Sequence, residues 1–166
     1  MSDDPKGDPK AEQYLIEAIR AAMDNVRRNT NAPFGAVIVR DGKVIATAVN
    51  QVDDLCDPTA HAEMQAVRAA AKALASTDLS GTTVYASGYP CPMCLTAMYL
   101  SGVEKVYYAY SNEDGAPYGL DAERGYVEIA RPVEQREMKL AGLRARDSGE
   151  DLYEAWKRSQ PTAPTT

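Results

Sequence analysis

The stretch PFGAVIVRDGKVIATAVN, residues 33–50, sets the fold of this chain more clearly than any other. Residues 35–39 are rich in β-branched side chains, and residues 43–49 are rich in them again. Asp41-Gly42 lies between the two runs, and this dipeptide favours a tight hairpin turn. We therefore predict two antiparallel strands that are joined at Asp41-Gly42.

Helices and further strands are predicted on both sides of this hairpin. Leu15, Ile19 and Val26 belong to a set of apolar residues that recur with helical spacing, so residues 11–28 should form an amphipathic helix. The other predictions, in chain order, are a polar loop at 50–59, an alanine-rich helix at 61–74, a strand at 82–86, a helix at 91–100, a strand at 105–110, an irregular stretch at 111–125, a short helix at 132–139 and a last helix at 150–158.

This alternation of helices and strands is typical of an α/β protein. We predict a three-layer α/β/α sandwich with a mixed central sheet of about five strands. A chain of 166 residues has little room for two cores, so one domain is expected over residues 11–158. The polar segments 1–10 and 159–166 are predicted to be flexible tails.

Composition and charge indicate which kind of molecule this chain binds. The chain has 18 Lys and Arg residues against 24 Asp and Glu residues, which gives a formal net charge of −6. Such a surface is repelled by phosphate backbones, so a small-molecule partner is expected and nucleic acid is not. The sequence has neither the apolar run of a membrane span nor that of a secretory signal, so the expected location is the cytoplasm.

Two short segments carry the residues of a metal site. They are His61-Ala62-Glu63 and Pro90-Cys91-Pro92-Met93-Cys94, and each lies at the start of a predicted helix. One imidazole and two thiolates are donors that zinc prefers, and three protein ligands leave one position of a tetrahedral ion for water, as in catalytic sites. The spacing of the cysteines puts both sulfurs on one face of a helix start, where the helix dipole favours thiolate. One zinc ion per chain is therefore predicted.

Glu63 is predicted to move protons rather than to bind the metal. It lies two residues from His61, too close to be a comfortable second ligand but near enough to reach a water on the metal. A carboxylate there can take a proton from that water and deliver it to a ring nitrogen and then to a leaving amine. The third cysteine, Cys56, has no such sequence context, and we expect it to be an incidental thiol.

The pattern H-x-E…P-C-x-x-C is the signature of zinc deaminases. The sequence resembles the cytidine-deaminase-like superfamily and, within it, the guanine deaminase or nucleoside deaminase branch. Pro92-Met93 between the cysteines is similar to the guanine deaminases, whose tRNA-adenosine relatives usually have Val-Met there. The segments that carry the resemblance are 33–50, 57–68, 90–109, 119–121 and 155–158.

The resemblance implies a role for each residue that matches the family pattern. The expected zinc ligands are His61, Cys91 and Cys94, and the expected proton shuttle is Glu63. The expected substrate contacts are the side chains of Asn50, Phe34, Asp121 and Trp156 and the backbone N–H of Ala62. Two of these have an alternative, since Phe34 could simply pack in the core and Trp156 could simply anchor its helix.

The resemblance also implies an assembly. The branch that the chain resembles is dimeric, with exchanged C-terminal segments, so a homodimer is expected. In that arrangement Trp156 would close the pocket of its own chain or of a neighbouring subunit.

Two departures from the family pattern concern the substrate side. Tyr89 stands before Pro90-Cys91, where the family commonly has Glu. Ala122 follows Asp121, where the guanine deaminases commonly have a second acidic residue. Glu123 could replace that missing carboxylate if the loop shifted by one residue.

These residues bear on three classes of function. The first is a hydrolytic deaminase of a free nucleobase or nucleoside, with guanine first and cytosine, cytidine or another amino-heterocycle as alternatives. The second is a tRNA adenosine deaminase, which would need a basic face that this chain lacks. The third is a zinc-stabilised protein without activity, which Glu63 and the missing fourth protein ligand disfavour.

Overall fold

The structure is a computed structural model, and it describes residues 10–143 and 149–160. Most of the two predicted tails, residues 1–9 and 161–166, lies outside the described residues. The chain divides into two compact units, one up to Arg131 and one from Pro132. The helices of the first unit are α1 Ala11–Arg28, α2 Val52–Leu55, α3 Ala62–Leu74, α4 Pro92–Leu100, α5 Asn112–Gly115 and α6 Glu123–Ala130.

The predicted hairpin is confirmed. Strand β1 spans Gly35–Arg40 and strand β2 spans Lys43–Val49, and the two pair antiparallel with Arg40 opposite Lys43. Asp41 and Gly42 have positive φ angles of 51° and 70°, which is the backbone that a two-residue hairpin turn with matching twist requires. The hairpin forms because the turn residues and the β-branched runs favour the same structure.

The sheet is mixed, as expected, and has four strands. Strand β3, Thr82–Gly88, pairs antiparallel with β1, and strand β4, Lys105–Tyr110, pairs parallel with β3, so the order is β2-β1-β3-β4. The expectation of about five strands is wrong for the part of the chain that the structure describes. After β4, Ser111 caps the short helix α5 in a capping box, and this start of a helix ends the strand pattern.

The three predicted layers are confirmed in the first unit. On one face of the sheet, Tyr14 and Ala18 of α1 pack in a buried cluster with Val37, Val39 and Tyr85. The other face carries a second buried cluster, to which β1, β3, α3 and α4 contribute Ile38, Val84, Ala66, Ala70, Cys94 and Met98. The sheet is therefore covered on both faces, which buries β1 and β3 almost completely.

Several helix boundaries differ from the predictions. Helix α2 lies in the predicted polar loop, and α6 lies partly in the predicted irregular stretch. The predicted helix at 132–139 is only a three-residue turn, Val133–Gln135. Gly125 lowers the helix propensity of α6, so the sequence did not predict this helix. Asp121 supports the start of α6, because its Oδ1 accepts a hydrogen bond from Glu123 N.

The second unit contains helix α7, Leu152–Ser159. Asp151 caps it, because its Oδ1 accepts hydrogen bonds from the backbone N–H groups of Tyr153 and Glu154. Arg158 forms an ion pair with Glu150. Among the described residues, no helix combines the length and the apolar character that crossing a membrane demands.

Candidate active site

Two helix starts place the metal-binding residues. His61 is the residue immediately before α3, and Cys91 is the residue immediately before α4. Both have extended backbone, with ψ angles of 154° and 166°. Pro92 follows Cys91 at the first position of α4, where its fixed φ suits the helix and its missing N–H costs nothing. The local sequence thus places both donor side chains directly before the first turn of a helix.

The three donors converge to a distance that suits zinc. His61 Nδ1 lies 3.6 Å from the Sγ atoms of both Cys91 and Cys94, and the two Sγ atoms are 3.6 Å apart. Tetrahedral zinc with ordinary bond lengths requires about 3.7 Å between two sulfurs and about 3.5 Å between sulfur and nitrogen. Among the residues that the structure describes, this metal-binding group contains three side chains and no fourth. The donor set therefore fits a zinc ion that keeps one position for water.

The electrostatics of the thiols also suit a cation. The hydrogen bond shared by the two sulfurs, together with His61, lowers the pKa of Cys91 to about 4. The same hydrogen bond, followed by burial, raises the pKa of Cys94, and the hydrogen bond to Cys91 raises the pKa of His61. The lowered pKa favours the thiolate form of Cys91, and a divalent cation can take the place of the proton on Cys94.

Glu63 lies beside the donors on the first turn of α3. It is buried, with 6% of its surface exposed, and Cys94 Sγ donates to its Oε2 at 3.6 Å. Burial raises the pKa of this carboxyl above its ordinary value. A carboxylate with a raised pKa is a stronger base than an ordinary one, which is a property that general acid–base catalysis uses.

A cavity of about 100 Å³ opens on this group. His61, Glu63 and Cys91 line it on the metal side. The other lining residues are Phe34, Tyr89, Leu120, Asp121 and Ala122. Phe34 and Asp121, which the sequence assigned to the substrate side, therefore do reach the cavity. Ala122 lines it as well, whereas Glu123 is exposed at the start of α6 and is not among its lining residues.

Two other expected substrate contacts do not line this cavity. Ala62 is fully buried and Asn50 is 3% exposed. Asn50 is held tightly, since its N–H donates to Phe34 O, its Oδ1 accepts from Val52 N, and its backbone carbonyl accepts from Asn25 Nδ2 at 2.8 Å. Neither residue is among those that the structure places on the wall, so their contact with substrate stays a prediction.

Cys56 is not among the residues of this cluster, and Trp156 belongs to the second unit. Trp156 is on α7 in the second unit and is 63% exposed. Its role in closing a pocket stays a prediction. Cys56 is an exposed free thiol that follows α2 with a φ angle of 49°.

Sequence reasoning missed Leu120, which lines the cavity, and Tyr126, and it left the role of Tyr89 open. Tyr89 lines the cavity, and its ring packs edge-on against Tyr108 at 4.9 Å and Tyr126 at 5.7 Å between centroids. Tyr126 OH donates to the carbonyl of Pro90 at 2.7 Å, next to the ligand Cys91. Tyr89 stood out in the sequence as a departure from the family pattern. Tyr126 gave no signal, because its helix was not predicted.

One imidazole and two thiolates beside a buried carboxyl, at two helix starts of an α/β/α sandwich, define a zinc-dependent hydrolytic deaminase. This class is confirmed by a sequence model of a known family, which matches residues 9–110. The chain belongs to that family, described as the cytidine and deoxycytidylate deaminase zinc-binding region.

Individual members of this family are similar to the chain in sequence and in structure. It is 43% identical over 125 residues to guanine deaminase of Bacillus subtilis, which covers 75% of this chain and 80% of the relative. It is 41% identical over 98 residues to a tRNA-specific adenosine deaminase of Aquifex aeolicus, covering 59% and 64%. The X-ray structure of guanine deaminase from Bacillus subtilis superposes with a TM-score of 0.82 at 37% identity, over 92% of this chain and 96% of that chain.

Proposed function

We propose that this protein hydrolytically deaminates a free nucleobase or nucleoside, with guanine as the first candidate, and so serves purine metabolism. The observation that carries the proposal is the cavity that is lined by the buried Glu63 and the exposed Asp121 together with His61 and Cys91. Glu63 lies beside the metal donors, and Asp121 supplies a second carboxyl group to the wall of the same cavity. A planar ring with an amino group at one end and an N–H edge at the other would meet both.

The residues of the cavity divide the chemical work. His61, Cys91 and Cys94 would hold a zinc ion, which would supply a water of lowered pKa as nucleophile for the ring carbon that bears the amino group. Glu63 Oε2 takes up one proton from that water and gives it to a ring nitrogen. It then takes up the second proton of the water and gives it to the amino group, which leaves as ammonia. Phe34 stacks on the ring, and Asp121 accepts a hydrogen bond from its far edge. When the substrate ring stacks on Phe34, it displaces water from the cavity. The proton transfers then take place in less polar surroundings.

Position 122 decides how well guanine fits. Ala122 lines the cavity beside Asp121 and brings no acceptor there, and Glu123 does not line it. We therefore assign the guanine N–H edge to Asp121 alone. A site that matches a polar edge discriminates against an unmatched analogue by about 10⁴–10⁵. Cytosine, cytidine or another amino-heterocycle with fewer donors on that edge is the alternative substrate.

The proposal extends to assembly and location. Leu95, Tyr99 and Leu100 of α4 are 41%, 79% and 77% exposed, which is a large apolar surface for one short helix. A second copy of the chain would cover it, and exchanged C-terminal segments would bring Trp156 to a pocket. We propose one domain over residues 11–158, one zinc ion per chain, a cytoplasmic location that keeps the thiols reduced, and no membrane partner.

An ammonia-release screen tests the substrate. Guanine, guanosine, adenine, cytosine, cytidine and triazine amines would be compared with the zinc-loaded protein, together with tRNA at two salt concentrations. We expect guanine to be turned over, and Ala122→Asp to raise kcat/KM for guanine relative to cytidine. An unchanged ratio in Ala122→Asp would mean that position 122 does not face the substrate. If only tRNA were deaminated, and at a rate that depends on salt, the activity of a tRNA adenosine deaminase would be favoured instead.

A further inference from the structure

A second cavity, of about 410 Å³, adjoins the catalytic cavity. Phe34, Tyr89 and Leu120 line both of them. A hydrogen bond also joins the two, because Ala122 N, on the wall of the catalytic cavity, donates to Oδ1 of Asn112, on the wall of the second. Small-molecule sites occupy about 300–1,000 Å³, so the second cavity has the size of a ligand site and the catalytic cavity alone does not.

One side of the second cavity is apolar. Ile19, Ala22 and Met23 of α1 form this side, and Tyr110 and Tyr118 belong to the same lining. These side chains offer contact area to the flat or apolar face of a ligand but no charge to bind an ionic group. The contact area favours a compact, uncharged ligand group.

The lining also contains a few polar groups with unused hydrogen-bonding capacity. Asp114 Oδ2 accepts from Ser111 N at 2.8 Å, which leaves its second oxygen as an acceptor. Asn112 Oδ1 accepts from Ala122 N at 3.0 Å, which leaves its Nδ2 as a donor. Hydroxyl groups can pair with both, since a hydroxyl donates as well as accepts.

Charge excludes a phosphorylated ligand. Among the described residues that line the second cavity, Asp114 alone carries a charge, and no Lys or Arg is present. A phosphate brought beside this carboxylate would be repelled without any compensating cation. The walls therefore suit an uncharged substituent with hydroxyl groups and reject its phosphate ester.

We propose that the second cavity binds an uncharged, hydroxyl-bearing substituent on the ring that is deaminated, so that the preferred substrate class is a nucleoside rather than a free base or a nucleotide. The ring lies against Phe34 in the catalytic cavity, and the substituent passes Tyr89 and Leu120 into the larger space. This inference rests on the proposed function, because it assigns the part of the substrate that does not react.

Met23→Trp tests the inference, because it fills the second cavity from α1. Met23 is 46% exposed, so a larger side chain there should not disturb the core. The matched control is Val26→Trp on the same helix, at a residue that is 41% exposed and is not among those lining the cavity. The measurements are kcat/KM for guanine, guanosine and guanosine monophosphate, and calorimetric binding of guanosine.

We expect the wild type to prefer guanosine over guanine and over the monophosphate. Met23→Trp should lower kcat/KM for guanosine by about 10-fold or more and leave that for guanine within about twofold. An equal loss for both substrates, or the same loss in Val26→Trp, would overturn the inference.

The outcomes separate this inference from the proposed function. Turnover of guanine but not of guanosine would overturn the nucleoside assignment and leave the deaminase proposal standing. If the zinc-loaded protein turned over neither, the guanine proposal would fail, and guanosine binding would decide the inference. Binding that Met23→Trp weakens and Val26→Trp does not would support it, and absence of binding would overturn it.

Discussion

At the scale of single residues, Glu63 has the environment that its proposed role requires. It is buried beside the metal donors, and burial raises its pKa. An isolated carboxylate would be costly in such a place, so the protonated form is favoured there until a cation is bound nearby. Burial of the Glu63 carboxyl is costly, but it raises the pKa that proton transfer by this residue uses.

Glu63→Gln should separate catalysis from metal binding. The amide keeps the size of the side chain and cannot exchange protons, so we expect nearly normal zinc content and a fall in kcat of about 10²–10⁴-fold. Metal analysis and ammonia release on the same preparation measure the two effects. Cys91→Ser is the control and should lose zinc and activity together. Loss of zinc in Glu63→Gln would make this carboxylate a structural group.

Gly35 is a second residue whose identity is set by its surroundings. A Cβ atom at this position would lie 2.3 Å from the backbone carbonyl of Ala18, so α1 and β1 can approach closely only when residue 35 is glycine. We expect Gly35→Ala to lower the free energy of unfolding by about 1–3 kcal/mol, measured by urea denaturation. Gly142→Ala, where a Cβ meets nothing within 4 Å, should change it by less than about 0.5 kcal/mol. Equal stability of the two variants would contradict the close approach.

At the scale of secondary-structure elements, α6 supports the metal site from a distance in sequence. Tyr126 donates a hydrogen bond to the carbonyl of Pro90, 36 residues earlier, and Pro90 immediately precedes the ligand Cys91. The same helix approaches Pro92, because a Cβ on Gly125 would meet the Pro92 ring at 3.2 Å. Groups that hold a ligand in place are worth about 10–100-fold in metal affinity.

Tyr126→Phe should therefore weaken zinc binding without removing a ligand. The ring that packs against Tyr89 is kept and only the hydroxyl is lost. We expect a zinc affinity about 10-fold lower in a chelator competition and a stability lower by about 1 kcal/mol. Tyr153→Phe, at an exposed tyrosine of α7, is the control and should match the wild type. Unchanged zinc affinity in Tyr126→Phe would show that the hydrogen bond does not position Cys91.

The elements also show how far the sequence could predict the structure. The hairpin, α1, α3 and α4 were predictable because turn residues, apolar spacing and helix starts all act within a few neighbouring residues. The zinc donors were predictable for the same reason, since each motif is short. Tyr126 and the wall at Leu120 were not, because they depend on where α6 and its preceding turns pack, and Gly115, Pro117 and Gly119 obscure any regular pattern there.

At the scale of the whole molecule, the exposed apolar residues of α4 predict self-association. Leu95→Glu with Leu100→Glu should convert the proposed dimer to a monomer, because both charges would have to be buried in the contact. Light scattering and sedimentation at micromolar concentration measure the change. Leu55→Glu, at a residue that is 54% exposed on α2, is the control and should leave the assembly intact. A wild-type protein that is monomeric at micromolar concentration would contradict the prediction.

The position of His61 and Cys91 immediately before two helices ties the supply of metal in the cell to the lifetime of the protein. Each ligand fixes the first turn of α3 or α4, so a chain that binds zinc cannot fray at either start without releasing it. Each tenfold rise in free zinc above the dissociation constant adds about 1.4 kcal/mol to the free energy of unfolding. Zinc starvation would then remove this protein by proteolysis as well as silence it, and its abundance would follow the buffered zinc level.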